Sequence, residues 1–132
     1  MKVILLDTHV VLWLAFSRER ISRNARAAIH KAREGGKGLA ISDMSLLEIA
    51  RIATKGAIEP GISIDSLLKD VEAKFVVLPM NGSICARAVT LPATFPRDPG
   101  DRVIVATALA EGLALITADE HIRASKTVET IW

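Results

Sequence analysis

The chain has 132 residues, half of them hydrophobic, and a formal net charge of only +2. A chain of this length can bury one sizeable core, so we expect a single domain over residues 1–132. The small net charge excludes a protein that binds nucleic acid through its overall positive charge alone. The one cysteine, Cys85, excludes an internal disulfide and a thiolate metal site, and we interpret it as a small core residue.

The most apolar stretch near the start, residues 3–16, is interrupted by Asp7 and His9. It is shorter than the ~20 residues that a membrane helix needs, and an acid at its centre is out of place in a signal peptide. We therefore expect a cytoplasmic protein that makes no membrane contact.

Short apolar runs alternate with helical patterns along the chain. The runs predict strands at 3–6, 39–41, 75–78, 113–117 and 127–131, the first and third buried and the last at an edge. The intervening patterns predict helices near 10–16, 22–34, 42–55, 63–74, 81–91, 101–111 and 119–124. This alternation predicts an α/β fold with a mainly parallel central sheet and helices on both faces.

Four acids stand where such a fold forms its ligand-binding edge. Asp7 and Asp119 follow the first and fourth strands. Glu48 lies in the helix after the second strand, and Asp101 begins the helix that leads into the fourth. In open α/β sheets ligands bind at the carboxyl ends of the strands, so we expect these four side chains to converge there.

Each acid also has an ordinary structural interpretation. Asp7 and Asp119 are favoured N-cap residues, and Asp101 would complement a helix dipole. Glu48 could form an ion pair with Arg51, three residues further along the same helix. The neighbours of Glu48 four residues away on either side are apolar, however, so its row of the helix is not an ordinary solvated face.

A cluster of carboxylates indicates a hard divalent cation, because uncompensated carboxylates repel one another. Mg²⁺ or Mn²⁺ suits a few carboxylate oxygens with waters and leaves positions for phosphate oxygens. Zinc is a poor fit, since the three histidines show no i,i+4 pairing and there is one thiol. A cation held in this way activates water and stabilises displacement at phosphorus, so we expect hydrolysis of a phosphodiester.

Four segments together resemble the PIN-domain ribonucleases, and among them the VapC-type toxins of prokaryotic toxin–antitoxin pairs. They are LDTHVVLW at 6–13, the 42–52 segment with Leu47-Glu48-Ile49, RDPGDR at 97–102, and LITAD at 115–119. The resemblance covers essentially the whole chain. It implies a parallel sheet, an acidic pocket that binds Mg²⁺ or Mn²⁺, and endoribonuclease activity on single-stranded or loop RNA.

The resemblance also implies roles for individual positions and partners. The metal-binding and catalytic acids of the family match Asp7, Glu48, Asp101 and Asp119. Hydroxyls that support these ligands match Thr8 and Thr117, and an acid just ahead of the third ligand matches Asp98. The implied partners are a second copy of the chain, forming a homodimer, and a small antitoxin whose C-terminal segment covers or enters the site.

RNA needs positive charge around an acidic pocket. Candidates are Arg51, Arg97 and Arg102, together with the seven basic residues between positions 18 and 37, and a solvated surface role stays open for each. His9 and His121 lie near two of the acids, so either could contact substrate or serve a surface or core role. Because only five residues are Phe or Trp, we do not expect several bases to be stacked, and backbone contacts and target shape should do most of the selecting.

Three other functions stay open. An aspartate-dependent phosphatase also begins with a strand that ends on Asp, but usually carries a second Asp two residues later, where this chain has His9. A phospho-receiver domain needs an Asp at the end of its third strand, where this chain has Pro79 and Met80. The third is a catalytically silent PIN-like domain that only binds RNA or protein.

Overall fold

The computed structural model describes residues 3–36, 38–56 and 61–132. Within these ranges one sheet of five parallel strands has the order β3-β2-β1-β4-β5. The strands are β1 (Ile4–Leu6), β2 (Leu39–Ser42), β3 (Val76–Leu78), β4 (Ala114–Ile116) and β5 (Thr130–Ile131). The predicted α/β fold with a parallel sheet is confirmed, and the fully buried β1 lies at its centre.

Helices fill the connections between the strands. In the same described ranges they are α1 (Thr8–Phe16), α2 (Arg23–Glu34), α3 (Asp43–Thr54), α4 (Ile64–Lys74), α5 (Gly82–Val89), α6 (Pro99–Glu111) and α7 (Glu120–Ser125). A short 3-10 turn over Arg18–Arg20 was not expected from the sequence. No helix within the described ranges is long and apolar enough to cross a membrane.

Most of the helices begin at a residue whose side-chain oxygen caps the helix N-terminus. Ser22 and Ser42 cap α2 and α3, as their positions predict, by accepting hydrogen bonds from backbone N–H groups of the first turn. At the other end of α6, Gly112 adopts φ +66°, a left-handed conformation that glycine reaches without strain. The predicted turn at residues 60–61 lies partly outside the described residues.

The sheet carries a separate core on each face. Ile4 and Leu6 of β1 pack into one core with α1, α2, α3 and α4, whereas Leu5 points to the other face. There it packs with Ile104 and Val105 of α6. The helix α6 is therefore buried within the chain itself, which explains why its sequence leaves almost no polar side.

Two sequence predictions about burial are wrong. The third strand, expected to be buried, lies at an edge of the sheet, and Val76 keeps 50% of its surface exposed. The apolar run of β3 is typical of an interior strand, but local hydrophobicity does not determine the order of strands in a sheet. Cys85 is also exposed, since the face of α5 that packs on α6 is formed by its neighbours Ile84 and Ala88.

Arg102 fixes the loop between α5 and α6, and this corrects its predicted contact with RNA. Its guanidinium donates five hydrogen bonds, between 2.9 and 3.4 Å long. The acceptors are the backbone carbonyl oxygens of Ala88, Leu91, Pro92, Phe95 and Pro96. A guanidinium has five N–H donors, so none is left for a phosphate oxygen.

We expect Arg102→Lys to lower the free energy of unfolding by roughly 1–3 kcal/mol, because an ammonium has three donors and no planar fork. Urea unfolding measures the loss, and Arg97→Lys, at an exposed neighbouring position, serves as the matched control with no cost. An Arg102→Lys protein that unfolds at the original urea concentration but binds RNA more weakly would restore the original interpretation.

Candidate active site

The structure brings the four predicted acids together at the carboxyl edge of the sheet. Asp7 follows β1 and Asp119 follows β4, each as the N-cap of the next helix. Glu48 reaches the edge from α3, and Asp101 from the first turn of α6. The charges of neighbouring acids, Asp98 among them, raise the pKa values of Asp7, Glu48 and Asp101, so these carboxylates lie close together.

Asp7 is the most buried of these acids. Only 8% of its surface is exposed, and both carboxylate oxygens accept hydrogen bonds. Oδ1 accepts from the backbone N–H of Thr8 at 2.8 Å, and Oδ2 accepts from the Thr117 hydroxyl at 2.7 Å. Burial raises the pKa of Asp7, and these two hydrogen bonds oppose that rise.

A chain of hydroxyls holds Glu48. The Thr8 hydroxyl donates to Glu48 Oε1 at 2.6 Å, and the Ser45 hydroxyl lies 2.9 Å from the Thr8 oxygen. Since Thr8 has one hydroxyl proton, Ser45 is the donor in the second bond. Burial again raises the pKa of Glu48, the Thr8 hydrogen bond opposes it, and repulsion from Asp7 and Asp98 adds to the rise.

Asp101 lies among four other carboxylates that raise its pKa. Burial, together with repulsion from Asp98, Asp7, Asp119 and Glu48, raises the pKa of Asp101 to about 7. A helix N-terminus normally stabilises an acid in its first turn, yet here burial and the neighbouring carboxylates outweigh that stabilisation. Helix-dipole complementarity alone therefore does not account for Asp101.

The other structural interpretations hold in part. Asp7 and Asp119 do cap helices, and Asp119 Oδ1 accepts hydrogen bonds from the N–H groups of His121 and Ile122. Capping by Asp119 uses only one of its two oxygens. Among the residues that the structure describes, no ion pair joins Glu48 to Arg51. The interpretation of Glu48 as half of a surface ion pair is therefore wrong.

Two residues of the site were missed by sequence reasoning. Gly100 lies in the first turn of α6, where a Cβ would overlap Glu48 Oε2 and stand 2.9 Å from Glu48 Cδ. The absence of a side chain thus lets α6 approach Glu48 closely. Glycine is a poor helix former, so its presence in a helix that begins at Pro99 was the sequence signal for a special role of this position. Ser45 gave a weaker one, as a polar residue on the buried row of α3.

The remaining candidates lie around the acids. The charge on His9 lowers the pKa values of Asp7 and Glu48 slightly, so His9 stands at the site with an exposed side chain. His121 is also exposed, and its Nδ1 lies 3.9 Å from Asp119 Oδ1. Arg51 and Arg97 are exposed.

The donor set fits a hard divalent cation by charge and by ligand type. Asp7 and Glu48 are carboxylates oriented by hydroxyls, and Asp101 accepts no hydrogen bond within the part of the chain that the structure describes. In that same part, no three His, Cys, Asp or Glu side chains stand close enough together to hold a metal ion by themselves. This arrangement suits Mg²⁺ or Mn²⁺ better than zinc, because Mg²⁺ keeps several waters and takes only one or two carboxylates directly.

The fold and the acidic edge can be compared with known proteins. Residues 4–126 match the family model of the PIN domain. The chain belongs to the PIN-domain family.

Within the family the chain is of the VapC type. It is 35% identical to Ribonuclease VapC22 of Mycobacterium tuberculosis over 134 aligned residues, which cover the full length of both chains.

Solved structures have the same fold. VapBC2 from Rickettsia felis, bound to a promoter DNA fragment, gives a TM-score of 0.74 at 14% identity, covering 97% of this chain and 96% of that one. VapBC-5 from Mycobacterium tuberculosis gives 0.67 at 20% identity and covers 98% of each chain. A toxin–antitoxin complex from Klebsiella pneumoniae gives 0.65 at 23% identity, with 95% and 94% covered.

We expect the metal-free protein to lose stability as the pH rises from 5 to 8. The unfolded chain releases the Asp101 proton near its ordinary pKa of 3.8, whereas the folded protein keeps it until about pH 7. The resulting stabilisation is complete below pH 4 and lost as the pH rises through 7. After allowance for partial exposure, the free energy of unfolding should fall by roughly 1–3 kcal/mol.

Thermal or urea unfolding across this pH range measures the effect. Asp101→Asn should flatten the profile and stabilise the protein at pH 8. The matched control is Asp65→Asn, which removes an exposed first-turn acid of α4 and should be neutral or cost a few tenths of a kcal/mol. Equal slopes in the original protein and the Asp101→Asn variant would show that Asp101 does not carry this charge imbalance.

Proposed function

We propose that the protein is a metal-dependent endoribonuclease, the toxin of a toxin–antitoxin pair. The proposed catalytic and metal-binding residues are Asp7, Glu48, Asp101 and Asp119. The observation that carries this proposal is the convergence of these carboxylates from four separate elements, with raised pKa values for three of them. The name of the VapC22 ribonuclease supports the reaction class, since the likeness to that protein covers the whole chain.

The proposed role of each acid follows from the hydrogen bonds that its carboxylate accepts. Asp7, with both oxygens oriented by Thr8 and Thr117, and Glu48, oriented by the Thr8 hydroxyl, would hold Mg²⁺ or Mn²⁺ directly or through water. When bound, such a cation supplies charge that activates water and stabilises the transferring phosphoryl group. Asp101, in the first turn of α6, would bind the same cation or orient the attacking water.

The proposed reaction needs no covalent nucleophile. Thr8 and Thr117 are buried and donate their hydroxyl protons to site carboxylates, so we assign them an orienting role and not that of a nucleophile. Water remains as the attacking group. Asp98 adds negative charge beside Asp101, and its carboxylate accepts no hydrogen bond from the first turn of α6 although Asp98 stands at the N-cap. We propose that it supports the metal site.

The two other enzyme or signalling classes fit less well. Phospho-receiver domains have the strand order 2-1-3-4-5, whereas this sheet has the order 3-2-1-4-5. The position two residues after Asp7, where a phosphatase usually carries its second Asp, is occupied by the exposed His9.

An antitoxin and a second copy of the chain are the proposed partners. Two adjoining clefts beside α1, of about 270 and 260 Å³, share the apolar Leu14 and the cations Arg18 and Arg33. An apolar segment with acidic flanks would fit this surface, and the structural relatives include toxin–antitoxin complexes. Co-purification with the product of the neighbouring reading frame checks the antitoxin, and light scattering checks the homodimer.

Purified protein should cut structured RNA internally in the presence of Mn²⁺ or Mg²⁺, and a chelator should stop the cleavage. Asp7→Asn and Asp101→Asn should each slow it by about 100-fold or more, because each removes a charge at the reacting centre. Asp65→Asn, at an exposed position on α4, should leave the rate unchanged. Cleavage that survives both the chelator and Asp7→Asn would overturn the mechanism, and RNA binding without cleavage would favour the silent module.

Gly100→Ala should slow cleavage by about 10- to 100-fold while changing thermal stability little. The added Cβ displaces the Glu48 carboxylate from its position beside the Thr8 hydroxyl, and small misplacements of catalytic groups are costly. The matched control is Gly82→Ala in the first turn of α5, where a Cβ meets no atom within 4 Å. Equal cleavage rates for the two variants would show that the close approach at Gly100 has no functional consequence.

A further inference from the structure

Both tryptophans of the chain lie in one group of rings. Trp13 is on α1 and Trp132 follows β5, with ring centroids 5.7 Å apart and planes tilted by 54°. His9, one turn before Trp13 on α1, has its ring 6.1 Å from that of Trp13. We call His9, Trp13 and Trp132 the aromatic row.

A cation completes this surface. The guanidinium carbon of Arg20 lies 4.7 Å from the Trp13 ring centroid, in the geometry of a cation–π contact. Arg20 and His9 are exposed, whereas both tryptophans are half-buried and pack by one side against the core. The row therefore presents ring surface and a fixed positive charge to solvent.

The aromatic row starts at the acidic site. His9 is two residues from Asp7, and its charge acts on both Asp7 and Glu48. The register pairs Leu6 with Ile116 and Ile116 with Ile131, so Asp7, Thr117 and Trp132 stand at the same level of the sheet. The bond from the Thr117 N–H to the Ile131 carbonyl, 3.3 Å, extends the pairing to this edge. With neighbouring strands ~4.8 Å apart, the Asp7 and Trp132 backbones are about 10 Å apart.

We infer that the aromatic row is a nucleobase-binding subsite, which stacks one unpaired base of an RNA strand beside the scissile phosphate while Arg20 contacts the backbone. The inference rests on the proposed hydrolysis of RNA. Rings with exposed surface next to a cation are what single-stranded nucleic acid uses in proteins, since every base has a face that can stack. The sequence offers too few aromatic residues to stack several bases, but the fold places two of the five together.

The binding experiment uses the full chain with Asp101→Asn, so that RNA is not consumed. The probe is a fluorescein-labelled 12-residue oligoadenylate, compared with a chain of the same length made of abasic ribose phosphates. Because both tryptophans belong to the row, intrinsic tryptophan emission reports on this surface alone. We expect the oligoadenylate to quench that emission and the abasic chain to leave it nearly unchanged.

Variants of the row should change affinity in a graded way. Trp132→Leu should weaken oligoadenylate binding by about tenfold, whereas Trp132→Phe, which keeps a ring, should stay within about threefold. His9→Leu, at an exposed position, should weaken it by a smaller factor and does not risk the core. Phe16→Leu removes an exposed aromatic residue outside the row and is the matched control, with no change expected. The abasic chain should bind all four variants equally.

Two results would overturn the inference. One is a folded Trp132→Leu or His9→Leu protein that binds oligoadenylate as tightly as its parent. The other is a loss of affinity that is equal for the abasic chain, which would assign the row a purely structural role. With Asp101 intact, Trp132→Leu should raise KM for RNA by about tenfold and leave kcat within about threefold. Base-dependent binding without any cleavage would support the subsite and overturn the proposed nuclease, so the two failures are distinguishable.

Discussion

Repulsion among carboxylates gathered at one edge of the sheet is the constraint on which the rest of this structure depends. Burial raises the pKa values of Asp7, Glu48 and Asp101, and their negative neighbours raise them further. Hydrogen bonds from Thr8 and Thr117 oppose this for Asp7 and Glu48. These donors orient the carboxylates without neutralising them, so the edge stays attractive to a divalent cation.

The same side chains serve structure and site at once. Asp7 and Asp119 each use a carboxylate oxygen to begin a helix, and each still has lone pairs for another partner. A cap and a metal ligand are therefore not exclusive alternatives. Capping fixes the direction of the side chain at the end of its strand, and that direction is what a preorganised site requires.

Much of the fold was predictable because its signals are local. Buried β1, the serine caps of α2 and α3, and the glycine that ends α6 each act within a few residues of themselves. The features that failed depend on distant neighbours. Val76 lies at an edge because of strand order. Arg102 turns inward because residues 91–96 offer it four carbonyl oxygens and Ala88 of α5 a fifth.

The sequence by itself determined which residues have acidic, hydroxyl or aromatic side chains, and which strand ends the acids follow. It could do so because hydrophobic periodicity and helix caps are local signals. Only the tertiary structure decided which of those groups meet. It brought Gly100 against Glu48, and it placed Trp13 beside Trp132, residues more than a hundred positions apart. The physical reason is that strand order and helix packing set these contacts. Both depend on how the whole core packs, so no single segment of sequence predicts them.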